Sequence, residues 1–571
     1  MPIRVRWGAA AVLLEVNAMK RRLGAAFSFA LLLSARAAAQ HEGHSHQTGE
    51  EQELGRLSFP VSCNEAAQAE FARGVAMLHS FWYEEAEKAF RKTAAADPRC
   101  AMAYWGIAMS LYHPIWYPPG AAELAGGREA VAKAKSIGGT TDREKAYIAA
   151  IEVFYRDSDR LDHKTRAIAY EKAMEAVTHA YPEDHEAAAF YAVALLWTLS
   201  VSPNDETNPR KAAAVLDRIA SEMPDHPGVL HYYIHAYDTP VLAPLALNAA
   251  RNYARVAPAV PHALHMPSHI FTRLGLWQDS IDSNLASAGA ARDYERRSGM
   301  SAAWDQELHA LDYLMYAYLQ RGDDESAKAV IDRTKEVKTA EPVAMTAAYA
   351  LSAIPVRYLV ERHCWVEAAA LESSPADFPW GKFAIANGMT RFARAIGAAC
   401  TGDMAAARKE IEALISLRDS VKGQPGFDWS TPLEVLRLEA EGWLAQAEGG
   451  GEEALALMRR AATLEDSTEK HAVTPGAIVP AREQLADFLW GSNRPAEALR
   501  EYEVVLAAAP NRFNSLYGAA RAAQMTGQVR KAKTYYERLL AIADPGSRRP
   551  ELAEAKAFVS GRAAAAEGSL R

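Results

Sequence analysis

No apolar run in this 571-residue chain is long enough to cross a bilayer as a helix, which takes about 20 residues. Cysteine is scarce. The four residues Cys63, Cys100, Cys364 and Cys400 form no C-x-x-C pair, so a thioredoxin-like redox motif is excluded. The Gly-rich phosphate loop, the G-x-S-x-G elbow and the H-E-x-x-H helix are also missing, which removes the motif-based grounds for a P-loop nucleotide site, an α/β-hydrolase or a zincin-type protease. Positive charge is in deficit: 63 Lys and Arg against 71 Asp and Glu give a net charge of -8 with no basic stripe, which argues against nucleic acid as a partner.

What is present begins with a secretory pattern. Met19-Lys20-Arg21-Arg22 supplies a basic n-region, LGAAFSFALLL (23–33) a short apolar h-region and ARAAA (35–39) small-residue cleavage sites. Met19 is the expected start, and residues 1–39 are expected to be removed. That cleavage takes away six Lys or Arg and one Glu and moves the net charge from -8 to about -13. A periplasmic or secreted protein with no membrane span follows. The polar stretch 40–60, including HEGHSH (41–46), reads as a disordered His-rich linker able to bind Cu or Zn weakly. Export permits disulfides. Cys63/Cys100 and Cys364/Cys400 are 37 and 36 residues apart, close to one repeat, and small buried thiols are the equal alternative for each pair.

The repeat period is near 34 residues. Residues 67–100 carry Gly74, Ala86, Phe90 and Pro98 at the small, small, aromatic and proline positions of a tetratricopeptide (TPR) hairpin. Residues 479–512 carry Ala498, Tyr502 and Pro510, and residues 513–546 carry Gly527, Ala532 and Tyr536. Several matches in one register predict an all-α, right-handed solenoid of about eleven to twelve helix-turn-helix units. The expected divisions are an array over 61–300, a second over 301–546, and a capping helix and tail over 547–571. HPIWYPPGAAELAGG (113–127) and STEKHAVTPGAIVP (467–480) interrupt the pattern.

Stacking needs small and apolar residues, yet HYYIHAYD (231–238) and PHALHMPSH (261–269) are rich in metal-ligand types. Resemblance to TPR proteins implies that positions 2, 5, 9, 12 and 13 of the first helix line the concave groove, as their shared stripe allows; framed on Gly275 and Pro224, the two segments then place His231, His235, Asp238, His262, His265 and His269 there. The next clear unit adds His309, Asp312 and Tyr316. Farther groove positions take His79, His113, Arg357, Glu483, Asp487, Asn514, Tyr517 and Arg521. His pairs at i,i+4 lie about 5–6 Å apart at Cβ, near enough to share one ion. The candidate ligands for a divalent transition metal, Zn or Cu, are His231, His235, His262, His265 and His269. Asp238, Asp312 and His309 are candidate orienters or bases. Lys470 and His471 could close the groove as a lid. His231 and His235 have H-E-x-x-H spacing, but Tyr232 stands where the glutamate base would be.

The segments FARGVAMLHSFWYEEAEKAF, DPRCAMAYWGIAMS, HPGVLHYYIHAYD, PHALHMPSHIFTRLGLW and KHAVTPGAIVPARE resemble those of an uncharacterised family of exported bacterial TPR proteins. The resemblance spans about residues 55–546 and implies the fold, with no activity to carry over. Two functions are expected. The first is a binding module taking a peptide, protein segment or small ligand in the groove, with or without a metal. The second is a metal-dependent, hydrolase-like enzyme using the same site.

Overall fold

The computed structural model describes residues 53–115, 117–138, 140–198, 205–424 and 426–561. The signal segment, the HEGHSH tract and the tail from 562 lie outside them. From Glu65 to Val559 the described chain is a succession of α-helices, with a single two-residue parallel pairing of Ala303–Trp304 with Ala340–Glu341. Each helix packs on its sequence neighbour. Alternate helices also touch, as Asp305–Arg321 does Met345–Glu361 and that helix Ala384–Thr401. This is the stacking of an all-α solenoid.

The first hairpin shows how the sequence builds a unit. Phe90, from the helix Tyr83–Ala96, is fully buried. A Cβ at Gly106, in the next unit, would stand 2.3 Å from its ring, so only glycine admits the aromatic. The same fit recurs far along the chain, where a Cβ at Gly518 would stand 2.3 Å from the Tyr502 ring. At the end of the array Leu552 and Ala555 of the helix Pro550–Val559 are buried against the helix Val529–Ile542 and cover its last apolar face.

Three expectations change or, for the cysteines, an open alternative is resolved. Residues 53–60 are not a disordered linker: they bury Leu54 and Phe59, the latter among Phe71, Trp105 and Tyr147. Burying such a phenylalanine contributes about 1.5–3 kcal/mol, enough to hold the segment. Cys63 and Cys100 are joined in a disulfide, but Cys364 and Cys400 are free thiols. Cys364 occupies the N-cap position of the short helix Trp365–Ala369, while Cys400 is the penultimate residue of Ala384–Thr401 and is exposed.

The third change concerns the groove. It is not an open trough, because the solenoid turns back on itself twice. The helix Glu65–His79 meets Pro227–Tyr237, and Asp305–Arg321 meets Phe513–Met525. Trp277 Nε1 donates to the Asn511 carbonyl at 2.8 Å, and the Asp544 amide to the Arg321 carbonyl at 2.7 Å. The interior is then filled by residues 467–480. Arg357 donates to the Gly476 carbonyl at 2.9 Å and the Ala477 carbonyl at 2.6 Å, and Lys470 pairs with Asp238 at 2.9 Å.

Candidate metal centre

Closure brings six histidines into one buried cluster. His231 and His235 share a face of the helix Pro227–Tyr237, one turn apart. His262 and His265 come from Pro261–His265, and His269 from Pro267–Leu274. Those two helices are divided at Met266 because Pro267 has no N–H to continue the ladder. His309 comes from Asp305–Arg321. All but the half-buried His235 are at most 3 % exposed.

The rings fall into two triads, His231/His235/His262 and His265/His269/His309, in each of which one nitrogen per ring lies within 4.8 Å of the others. His231 Nε2 is 3.2 Å from His262 Nε2 and 3.1 Å from His235 Nε2, and His265 Nε2 is 3.0 Å from His269 Nε2. Two nitrogens bound to one Zn at about 2.0–2.1 Å with angles of about 90–110° would sit about 2.9–3.4 Å apart. The triads abut. The His262 and His265 ring centres are 6.0 Å apart and those of His235 and His269 6.2 Å, while His235 and His262, within one triad, are 6.5 Å apart.

Neighbours fix the tautomers. His231 Nδ1 faces the His79 carbonyl at 2.6 Å, so it must carry the proton. His269 Nδ1 lies 2.9 Å from Asp238 Oδ2. His265 Nδ1 lies 2.7 Å from Asn284 Oδ1, and that amide is oriented by its own nitrogen, which donates to the Ser280 carbonyl at 2.7 Å. With Nδ1 protonated, each of these three rings presents a bare Nε2 lone pair inward. His265 and His269 therefore face each other at 3.0 Å with no proton between them. The Tyr313 hydroxyl reaches His269 Nε2 and the Thr474 carbonyl, each at 3.2 Å, with one proton for both. Adding protons to the rings is opposed by burial, which lowers His231 to about 3 and pushes His235, His262, His265 and His309 well below the ordinary histidine range. Convergent neutral imidazoles, oriented from behind through Nδ1, are what a transition-metal ion requires of its ligands.

Asp238 orients and does not line the cluster. Burial alone would raise its carboxyl, but Lys470 and Arg273 hold it well below the usual range. Lys470 is thus committed to Asp238. The His471 ring packs on Phe427 and Trp429. Asp312 and Tyr316 turn away from the histidines. Asp312 pairs with Arg357 at 2.7 Å, and the Tyr316 hydroxyl accepts from Arg512 at 2.8 Å. Arg512 also binds Glu483 at 2.9 Å, Asp487 accepts from Tyr502, Tyr517 donates to Glu554 at 2.6 Å, and Arg521 stacks on Trp490. Asn514 lies 3.5 Å from the Glu361 carbonyl, and His113 packs on Tyr83 and Tyr117.

A cavity of about 40 Å³ opens between the triads, lined by His235, His262, His269 and His309 together with Tyr117 and His471. A larger one of about 490 Å³, lined by Tyr349, Phe427, Trp429 and Glu439 among others, lies on the other side of residues 467–480, and His471 borders both.

A third buried group, His79, Glu186 and His226, is close enough to hold an ion but does not need one. Glu186 accepts from His79 Nε2 at 2.7 Å and from His226 Nε2 at 3.1 Å. Tyr232 binds His79 Nδ1 at 2.8 Å, and the Val229 amide donates to His226 Nδ1 at 3.3 Å. Sequence reasoning missed His226 and Glu186, which carry no local signal, and also Asn284 and Tyr313. Tyr313 was within reach, one turn beyond His309.

No family model and no curated protein matches the sequence. Among solved structures, similarity extends to the human IFIT1 dimer with m7Gppp-AAAA (12% identity, 77% of this chain and 90% of that one, TM-score 0.37). It extends also to Naa15/Naa10 bound to HypK-THB (13%, 88% and 74%, TM-score 0.23) and the P58(IPK) TPR domain (12%, 87% and 99%, TM-score 0.19). Superpositions this loose carry no functional argument, and the solenoid assignment rests on the chain's own helix stacking.

Proposed function

We propose that this chain is an exported helical-repeat protein whose closed interior binds transition-metal ions on His231, His235, His262, His265, His269 and His309, with a small ligand as the metal's partner. The observation that carries this reading is the pair His265 and His269, whose Nε2 atoms face each other at 3.0 Å while both Nδ1 protons are committed elsewhere. A cation between them removes the lone-pair conflict. Burial of the cluster and the small cavity beside it favour a small ligand over an extended peptide at this point. The disulfide Cys63–Cys100 and the N-terminal secretory pattern support an oxidising compartment outside the cytoplasm.

Elemental analysis of the purified mature chain tests the reading. Near-stoichiometric copper or zinc is expected, with loss of metal in His265→Ala/His269→Ala at unchanged helical circular dichroism. A metal-free chain that also fails to take up added Cu or Zn ions would end it.

A further inference from the structure

We infer that the two triads act together as a dinuclear copper centre that takes dioxygen into the cavity between them. This rests on the metal reading above, and the experiment below separates the two.

Three observations lead there. The first is symmetry of construction. Each triad is an i,i+4 histidine pair, His231/His235 or His265/His269, completed by one histidine from a different helix, His262 or His309. The separations across the triads, 6.0 and 6.2 Å, exceed the 4.3–5.0 Å of most ring pairs within them but not the widest, 6.2 and 6.5 Å, so two ions would be neighbours.

The second is charge. Six imidazoles bring no negative charge, and the one carboxylate behind them, Asp238, is already balanced by Lys470 and Arg273. Two divalent ions would place four uncompensated positive charges in a buried site, at a large desolvation cost. Two cuprous ions bring only two. Imidazole suits copper, and copper stands highest in the divalent affinity order once oxidised.

The third is room. About 40 Å³ exceeds the roughly 10–15 Å³ that a single water needs, so a diatomic ligand is accommodated. Dioxygen fits. Each cuprous ion gives one electron, the O–O double bond becomes single, and the resulting peroxide bridges two cupric ions. No proton moves and no other reductant enters. The site's net charge is the same before and after, two cupric ions and a peroxide dianion equalling two cuprous ions, so a buried pocket with fixed neutral ligands can hold both states.

The test loads the full mature chain with cuprous ion under anaerobic conditions, then admits dioxygen. Two coppers per chain are expected. Oxygenation should produce a new near-ultraviolet absorption band, with nearly all the copper silent in electron paramagnetic resonance because the bridged cupric ions couple. His309→Gln, which removes one ligand from one triad, should restore a mononuclear cupric signal and abolish the band. His262→Gln does the same from the other triad, so misfolding of one variant does not decide the matter. Two coppers with full paramagnetic intensity, or a site that holds zinc against a copper excess, would overturn the dinuclear dioxygen inference while leaving the metal reading intact. Failure to bind copper or zinc at all would overturn both.

Discussion

The solenoid buries two kinds of histidine cluster within one core, and they are built on opposite principles. In His79/Glu186/His226 every inward proton has an acceptor: the carboxylate takes one from each ring, and Tyr232 and the Val229 amide complete the other two nitrogens. In the six-histidine centre the acceptors of His231, His265 and His269 stand outside, on Nδ1, and the Nε2 atoms of His265 and His269 are left facing each other. Burial and residue type are shared, so neither marks function. The difference is whether the group closes its own hydrogen-bond account. A satisfied cluster stiffens the fold, and a cluster with converging lone pairs waits for a cation.

Substitutions at the two clusters should therefore separate stability from metal binding. The largest effect is expected at Glu186. Glu186→Ala strands two buried imidazole N–H groups and should cost about 3–5 kcal/mol of stability with metal content per folded chain unchanged. Denaturant melts paired with elemental analysis read both numbers, and a loss of metal without a loss of stability would erase the distinction.

Acid should act at the same place. Burial would raise the Glu186 carboxyl, but His226 and His79, which both donate hydrogen bonds to it, pull it down to about 2. A carboxyl held below its unfolded value of about 4.3 contributes stability in full above that pH, and the contribution disappears as pH falls toward about 2. Wild-type stability should fall across that window, and Glu186→Gln should flatten the fall. An unchanged slope would show that Glu186 is not held low by its histidines.

The smallest effect is expected at Asn284, which meets the six histidines through the back of His265. Asn284→Ala should weaken metal affinity about 10–100-fold, as loss of an outer-shell partner does, while altering the melting temperature little. Titration with competing chelators measures it. An affinity equal to wild type would mean that His265 needs no orienting.

Much of this could be read in the sequence, for identifiable reasons. The repeat frame, with the groove positions that the TPR resemblance implies, puts His231, His235, His262, His265 and His269 on one face. Helix Asp305–Arg321 shows the limit. His309, Asp312 and Tyr316 were assigned to one stripe, but the structure divides it into two i,i+4 pairs. His309 and Tyr313 meet the histidines, and Asp312 and Tyr316 meet Arg357 and Arg512. Those arginines stand 45 and 196 residues from their partners, and no local pattern announces such pairings. Closure of the solenoid was equally hidden, since it depends on contacts such as Trp277 with Asn511. It is closure, together with residues 467–480, that turns a groove into an interior.

The most direct measurement is anomalous diffraction at the copper edge from crystals of the copper-loaded mature chain. Two peaks are expected, one within about 2.0–2.2 Å of each set of three imidazole nitrogens, with none at His79, Glu186 and His226. Empty triads, or a peak at Glu186 in their place, would contradict the assignment of the six histidines as the metal centre.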